Sequence, residues 1–315
     1  MTLRSRPFFI VTCLAIFSVC LSLYKGSTPV TLYQLLFDEN HQLKAIFLQF
    51  RLPRTLTAFV TGGLLALAGS LMQLLLQNPL ADPYVLGISG GAALTTLTLM
   101  LLGASGIWLL SGAWAGSLLA TLLIFALARK HRWQTHTLLL TGIALAGGFS
   151  AGISLILLLT PNASVHNMLF WLSGDLNDAQ LPYAGCLILS LGLLTCLALA
   201  PGLDLLARGT KQAQALGLST ERFRIAIFLL SSLFTATAVT LAGCIGFIGL
   251  LTPHLTRLLT GYQHRLVLPL SVLLGGSLLT LADTFARTLL APEQLPVGIV
   301  MALIGVPTFI WLLQK

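Results

Sequence analysis

The stretch FLQFRLPRTLTAFVTGGLLALAGSLMQLLLQ, residues 47–77, decides the fold. Residues 55–77 contain no charged side chain, and a helix needs roughly 20 apolar residues to cross a bilayer core about 30 Å thick. The stretch therefore predicts a membrane-spanning helix. It opens on Arg51 and Arg54, which lipid disfavours and which the positive end of a helix dipole also disfavours.

The composition of the whole chain agrees with this stretch. Of its 315 residues, 56% are apolar and only 8% are charged, with a mean hydropathy of +0.93, which is typical of polytopic membrane proteins. The basic residues lie between apolar runs and form no basic face, which excludes a nucleic-acid-binding domain. The five cysteines lie in apolar segments without metal-ligand spacing, so neither a metal site nor a disulfide framework is indicated, and we expect buried, reduced thiols.

Hydropathy over windows of about 20 residues predicts an all-α protein with about ten transmembrane helices. The amino-terminal run could be a signal peptide, but it lacks a small-residue cleavage site, so we interpret it as the first span. The eighth span is short and rich in Gly and Pro. The predicted spans are 7–24, 52–77, 86–103, 107–128, 137–160, 181–200, 223–243, 246–260, 266–290 and 296–313.

The distribution of Lys and Arg predicts the orientation, because these residues concentrate in cytoplasmic loops. With ten spans and both termini in the cytoplasm, twelve of the seventeen Lys and Arg residues lie on the inner side. The outer side keeps Lys25, Lys44, Arg51, Arg54 and Arg287. Three of these five are arginines at span ends.

Two other classes of membrane protein fit the sequence poorly. An ion-coupled secondary transporter needs ionisable groups at mid-membrane depth, yet Asp283 is the one acidic residue inside a predicted span. An intramembrane enzyme needs a catalytic set, and the sequence contains neither HExxH nor GxSxG. It also lacks GxxxxGK[ST], so a partner must hydrolyse any ATP that drives the protein.

Four motifs carry a resemblance to a known family. They are RLPR (51–54), NPLADP (78–83), GFIGLLTPH (246–254) and LPVGI (295–299), in this order along the chain. With them the chain resembles, over nearly its whole length, the FecCD family of ABC importer permeases for ferric siderophores, haem and cobalamin. The resemblance implies a type II ABC importer permease fold, with residues 1–315 forming one transmembrane domain of a bacterial inner-membrane protein. It also implies a second permease subunit, two ATPase subunits and a periplasmic or lipid-anchored binding protein.

The resemblance implies a role for the outer arginines. In the family, residues matching Arg51, Arg54 and Arg287 receive carboxylates of the binding protein, and a guanidinium suits this role because it is permanently charged and bidentate. Alternatively, Arg51 and Arg54 snorkel to lipid headgroups. Arg287 has a further alternative, an i,i+4 ion pair with Asp283 at a helix end.

On the inner side, the segment from about residue 201 to 222 matches the family's coupling loop. The resemblance implies that this loop forms two short helices that seat in a groove of the ATPase. Breaks at Gly209 and Gly217 suit such a unit. Thr210 and Lys211 stand where the family usually has acidic residues, which puts individual contacts in doubt. The expected coupling residues are Arg208, Gly209, Ala213, Leu216 and Gly217.

The segment NPLADP implies a cytoplasmic gate. By resemblance, Asn78, Pro79 and Leu80 form part of this gate, with the loop near Gln134 and Thr135 closing it from the other side. The alternative is an ordinary rigid turn, which Asn and Pro favour. No catalytic residue and no cofactor of the chain itself is expected. The residues do not separate a siderophore, haem or cobalamin cargo, or a homodimer from a heterodimer.

Overall fold

The computed structural model describes residues 5–26, 46–130, 135–177, 179–180 and 182–314, and every regular element in these ranges is helical. A π-helical turn at Phe47–Arg51 leads into α2, and a 3-10 turn at Pro83–Leu86 leads into α3. The α-helices are α1 (Ser5–Tyr24), α2 (Leu52–Leu75), α3 (Ile88–Leu101), α4 (Ile107–Lys130), α5 (Thr135–Leu159), α6 (Asn162–Leu172), α7 (Tyr183–Ala207), α8 (Thr210–Ala215), α9 (Thr220–Ala242), α10 (Ile248–Thr260), α11 (His264–Ala286) and α12 (Val297–Leu313).

Ten of these helices follow the order of the predicted spans. Seven are long and apolar enough to cross a membrane, namely α1, α2, α4, α5, α7, α9 and α11. Helices α3, α10 and α12 are shorter, with 14, 13 and 17 residues. At 1.5 Å per residue α10 rises only about 20 Å, as its Gly- and Pro-rich sequence predicted. Helix α6, in the connection 161–180, was not predicted.

Helix α2 is the central element of the bundle. In an apolar stretch of 18 residues in this span, 94% of the residues are buried. Helix α2 contacts α1, α7, α9, α10 and α11. Its glycines allow the neighbouring backbones to approach closely. A Cβ added to Gly62 would lie 2.2 Å from the carbonyl oxygen of Gly275, and one added to Gly69 would lie 1.9 Å from that of Gly249. A larger residue at either position would force the helices apart.

Two segments outside the α-helices meet inside the bundle. The first precedes α3 and includes Tyr84, and the second, residues 243–247, precedes α10. The Tyr84 hydroxyl accepts a hydrogen bond from the backbone N–H of Ile245 at 2.9 Å. Within a membrane an irregular backbone is stable only where the protein itself satisfies its polar groups. This contact lets α3 and α10 begin within the body of the protein.

The helix ends form two opposite faces. The Arg54 face contains the carboxyl ends of α1 and α11, the start of α2 and Asn177. The Arg208 face contains the carboxyl ends of α2 and α7, helix α8 and the start of α11. Helix α1 lies at the periphery, and its Cys13 and Cys20 are exposed. The prediction that all five cysteines are buried is therefore wrong for these two.

Candidate functional site

Arg54 is the centre of a polar network on the Arg54 face. Its Nε and Nη2 lie 2.9 and 2.8 Å from Oδ1 of Asp283 on α11. Its Nη1 donates at 2.8 Å to the side-chain oxygens of Asn177 and Gln294, from two different connections. The Arg54 side chain remains 13% exposed, so the network ties three segments to α2 around a side chain that is not fully closed off from solvent.

Arg51 and Arg287 bind the carboxyl end of α1. Arg51 Nη1 donates to the carbonyls of Leu23 and Tyr24 at 3.2 and 3.1 Å. Arg287 Nη2 donates to the Ser22 carbonyl at 2.7 Å and lies 2.6 Å from the Ser22 hydroxyl. The last carbonyls of a helix lack intrahelical donors and carry its negative dipole end. Both arginines thus supply donors and positive charge where α1 needs them.

Arg287 also faces Asp283, one helical turn earlier. Its Nε lies 3.4 Å from Asp283 Oδ2, the predicted i,i+4 pair. Neither of these two atoms forms a hydrogen bond of good geometry within the described residues. Asp283 itself is fully buried, so the acid balances two guanidiniums away from solvent.

The structure thus brings the three predicted docking arginines onto one face, with unequal access to it. Arg51 and Arg287 are only 5% and 4% exposed, and the guanidinium of Arg51 packs on the backbone of Gly26. Snorkelling to lipid, the alternative for Arg51 and Arg54, does not describe Arg51, whose side chain turns inward to α1. Docking of a partner remains a prediction, and Arg54 is the member of the trio with the most accessible side chain.

The predicted gate residues form an exposed turn on the Arg208 face. Asn78, Pro79 and Leu80 are all exposed. The Asn78 side chain accepts a hydrogen bond from the backbone N–H of Leu80 at 2.9 Å, so the turn is the rigid Asx type that Asn favours. Pro79 and Leu80 line a small apolar hollow with residues of α10 and α12. Gln134, expected to face this turn, lies outside the described residues.

Sequence reasoning missed a polar contact behind this turn. Gln73 of α2 accepts from Arg257 of α10 and donates to the Leu250 carbonyl at 3.1 Å. Arg224 of α9 donates to the Leu75 carbonyl at 3.3 Å. These contacts fix the carboxyl end of α2, where the gate turn starts. A lone Gln in a long apolar helix was the available signal.

The predicted coupling residues lie in α8 and directly on either side of it, but the helices of this segment differ from the prediction. Residues 201–207 continue α7 through Pro201, so a single short helix, not two, lies between the long helices. Gly209 and Gly217 bound it with φ of 110° and 86°, values that glycine adopts without strain. Ala213 is fully buried, whereas Leu216 is 63% exposed. Arg208 caps α7 and is exposed.

A second contact that sequence reasoning missed lies beside α8. The carboxylate of Asp204 on α7 accepts from the backbone N–H of His264 at 3.0 Å and lies 2.6 Å from its Nδ1. His264 is the first residue of α11. The two residues are 60 positions apart in sequence, so no local spacing predicts their contact.

Comparisons with known proteins agree with the motifs and the fold. Residues 13–315 match the FecCD transport family. The chain is 39% identical to the hemin transport system permease protein HmuU of Yersinia pestis, covering 88% of this chain and 86% of HmuU. It is 38% identical to the Fe(3+) dicitrate transport system permease protein FecD of Escherichia coli, with 94% of both chains covered.

Two further similarities concern another cargo and the fold. The chain is 38% identical to the vitamin B12 import system permease protein BtuC of Vibrio cholerae, over 85% of this chain and 82% of BtuC. Its structure matches that of a metal-chelate type ABC transporter in an inward-facing conformation, with a TM-score of 0.88 and 30% identity over 98% of both chains. The similarity therefore covers both sequence and architecture.

Proposed function

Since the chain belongs to the FecCD transport family and is a membrane-spanning permease subunit of an ABC importer, we propose that it carries an iron complex, such as a ferric siderophore or haem, or else cobalamin. The observation that carries this proposal is the similarity to hemin, ferric dicitrate and vitamin B12 permeases, which extends over 85–94% of the chain. A bacterial inner membrane is the corresponding location.

ATP is hydrolysed by two partner subunits that bind the Arg208 face. Support comes from α8, which presents Leu216 to the outside while Ala213 anchors the helix to the protein. An exposed Leu at the end of a well-fixed helix suits a groove in a partner protein. Arg208, Gly209 and Gly217 shape this surface.

A substrate-binding protein docks on the Arg54 face. The guanidinium of Arg54 is held in place by Asp283, Asn177 and Gln294 and its side chain stays partly exposed, so the second N–H of Nη2 is preorganised to donate to an incoming carboxylate. Arg51 and Arg287 add positive charge from behind and hold the adjacent end of α1.

A second permease subunit completes the pathway. Helix α5 is largely exposed in the single chain, because only 11% of the residues in its apolar 18-residue stretch are buried. A Cβ added to Gly147 or Gly148 would meet nothing within 4 Å among the described residues. This face of small residues suits a neutral pathway between two subunits, and the turn of Asn78, Pro79 and Leu80 closes that pathway at its inner end.

The Arg208 face is cytoplasmic in this proposal, together with both termini. Labelling of an engineered cysteine tests the orientation. In a cysteine-depleted background, Gln212→Cys on α8 should react only with reagents that reach the cytoplasm. Labelling from the periplasm would reverse the orientation.

Reconstitution tests the function. The chain is placed in proteoliposomes with its ATPase and cargo-loaded binding protein, and uptake of haem, ferric citrate and cobalamin is measured. We expect uptake of one cargo class that requires ATP. Uptake driven by a proton or sodium gradient without the ATPase would replace the importer with an ion-coupled secondary transporter.

A further inference from the structure

Asp204 caps a helix that is not its own. The amino end of α11 leaves backbone N–H groups without intrahelical acceptors, and Gln263, the residue before it, provides no side-chain cap within the described residues. Asp204 of α7 takes this place by accepting from both the backbone and the ring of His264. A carboxylate at the positive end of a helix dipole is favourable. The pair therefore fastens the start of α11 to α7.

The point of attachment lies close to α8. Asp204 is four residues before Arg208, and one residue, Gly209, separates Arg208 from the start of α8. Helix α8 is fixed on this base, because it packs against α7 and the Ala213 side chain is buried. A displacement of α8 therefore acts on the segment of α7 that holds α11.

The opposite end of α11 belongs to the Arg54 network. Asp283 and Arg287 lie at this end, 19 and 23 residues after His264, and they contact α2 and α1. A helix of 23 residues spans about 34 Å, which is close to the thickness of a bilayer core. At its middle, Gly275 packs against the backbone of Gly62 on α2. One continuous helix thus joins the two faces and is held at both ends by charged side chains.

From this arrangement we propose that the Asp204–His264 pair is a positioning contact that transmits movements of α8 to α11, and through Asp283 to Arg54. The inference rests on the proposed function, in which α8 seats the ATPase and the Arg54 face receives the binding protein. Coupling between two sites requires an element that both sites bias. Helix α11 meets the Arg54 network through Asp283 and the base of α8 through Asp204 of α7.

The test uses the reconstituted complex and compares ATP hydrolysis with and without cargo-loaded binding protein. In Asp204→Ala we expect the complex to assemble, to hydrolyse ATP at the basal rate and to bind the binding protein with unchanged affinity. The ratio of stimulated to basal hydrolysis should fall about fivefold or more, the lower end of typical coupling between sites. Glu221→Ala is the matched control, an exposed acid in the first turn of α9 near the same face, and should keep the wild-type ratio.

A cross-link guards against a purely structural explanation. In a cysteine-depleted background, Asp204→Cys combined with His264→Cys should lose stimulation while both thiols are free. A short thiol-specific bifunctional reagent should then restore it, because it ties α7 to α11 again. This variant also covers the case in which Asp204→Ala fails to assemble.

Two results would overturn the inference. One is a wild-type ratio in Asp204→Ala, and the other is a cross-linked double variant that assembles and hydrolyses ATP but stays unstimulated. Failure of the wild-type complex to assemble or to transport would count against the proposed function. An unchanged ratio in the variant of a working complex counts only against this inference.

Discussion

The two faces of the bundle use charged and apolar side chains in opposite ways. On the Arg54 face, two of the three predicted docking arginines turn inward, and Arg51 and Arg287 are no more than 5% exposed. On the Arg208 face, the gate turn points outward, and so does the coupling residue Leu216, which is 63% exposed. The first face is stabilised mainly from within, whereas the second leaves its contacts for partners.

This difference follows from the helix ends that each face contains. The carboxyl end of α1 lacks donors of its own, and the neighbouring arginines satisfy it. On the Arg208 face, Arg224 serves the carboxyl end of α2 in a similar way by donating to the Leu75 carbonyl, and Arg257 donates to the side chain of Gln73 near that end. The exposed side chain of Leu216 at the end of α8 is therefore available to a partner. An arginine at a span end is thus first a candidate cap and only then a candidate docking residue.

Removal of Asp283 should produce the largest loss of stability, because it disrupts the polar network of the Arg54 face. Asp283→Ala leaves Arg54 and Arg287 without their buried counter-charge, and loss of one partner of a buried ion pair costs about 3–5 kcal/mol. Thermal unfolding in detergent measures the loss. Arg222→Ala, an exposed residue near the Arg208 face, is the control and should stay within about 0.5 kcal/mol of wild type. Equal stability of the two variants would contradict the role of Asp283.

A charge at Leu216 should weaken ATPase binding to the Arg208 face without lowering the stability of the protein. In Leu216→Glu we expect wild-type stability, because the side chain is exposed. ATPase binding should weaken by about thirtyfold or more, since a central interface residue contributes about 2 kcal/mol or more. Gln212→Glu adds the same charge one turn earlier on α8 and should weaken binding far less. An equal loss in both variants would point to charge repulsion and not to an apolar contact.

A comparison of Arg54 with Arg51 separates docking from stabilisation within the Arg54 face. Arg54→Gln should weaken binding of the substrate-binding protein about tenfold, which corresponds to about 1.4 kcal/mol, and this contribution should fall as salt shortens the Debye length. Arg51→Gln should leave that affinity within about twofold and lower stability by about 1–3 kcal/mol, because the carbonyls of Leu23 and Tyr24 lose a charged donor. Titration of each purified, folded variant decides the matter. The reverse pattern would make Arg51 the docking residue.

The smallest expected effect separates a buried acceptor from an exposed one. Ser22→Ala removes a fully buried hydroxyl that contacts Arg287 and should cost about 1 kcal/mol. Asn177→Ala removes an exposed acceptor of Arg54 and should cost about 0.5 kcal/mol or less, since water replaces it. Denaturant or thermal unfolding of both variants side by side gives the difference. A larger loss for Asn177→Ala would show that Arg54 depends on that residue more than its exposure implies.

The sequence predicted the helical architecture well because lipid imposes a simple constraint. An apolar run must form a helix of sufficient length, so the seven helices long enough to cross a membrane required no knowledge of their neighbours. The eighth was recognised as short from its Gly and Pro residues. The coupling loop was less predictable, because the predicted span ends at residue 200 whereas α7 continues through Pro201 to Ala207.

The amino-acid sequence by itself determined the membrane class, the order of the spans, the family motifs and the i,i+4 contact of Asp283 with Arg287, because these depend on local composition and spacing. Only the tertiary structure decided which arginines face inward and that Asp204 caps α11. It also joined Tyr84 to the break before α10. Each of these contacts pairs residues far apart in the chain. Such partners are chosen by which helix ends lack donors or acceptors once the bundle has packed, and one-dimensional patterns do not record that geometry.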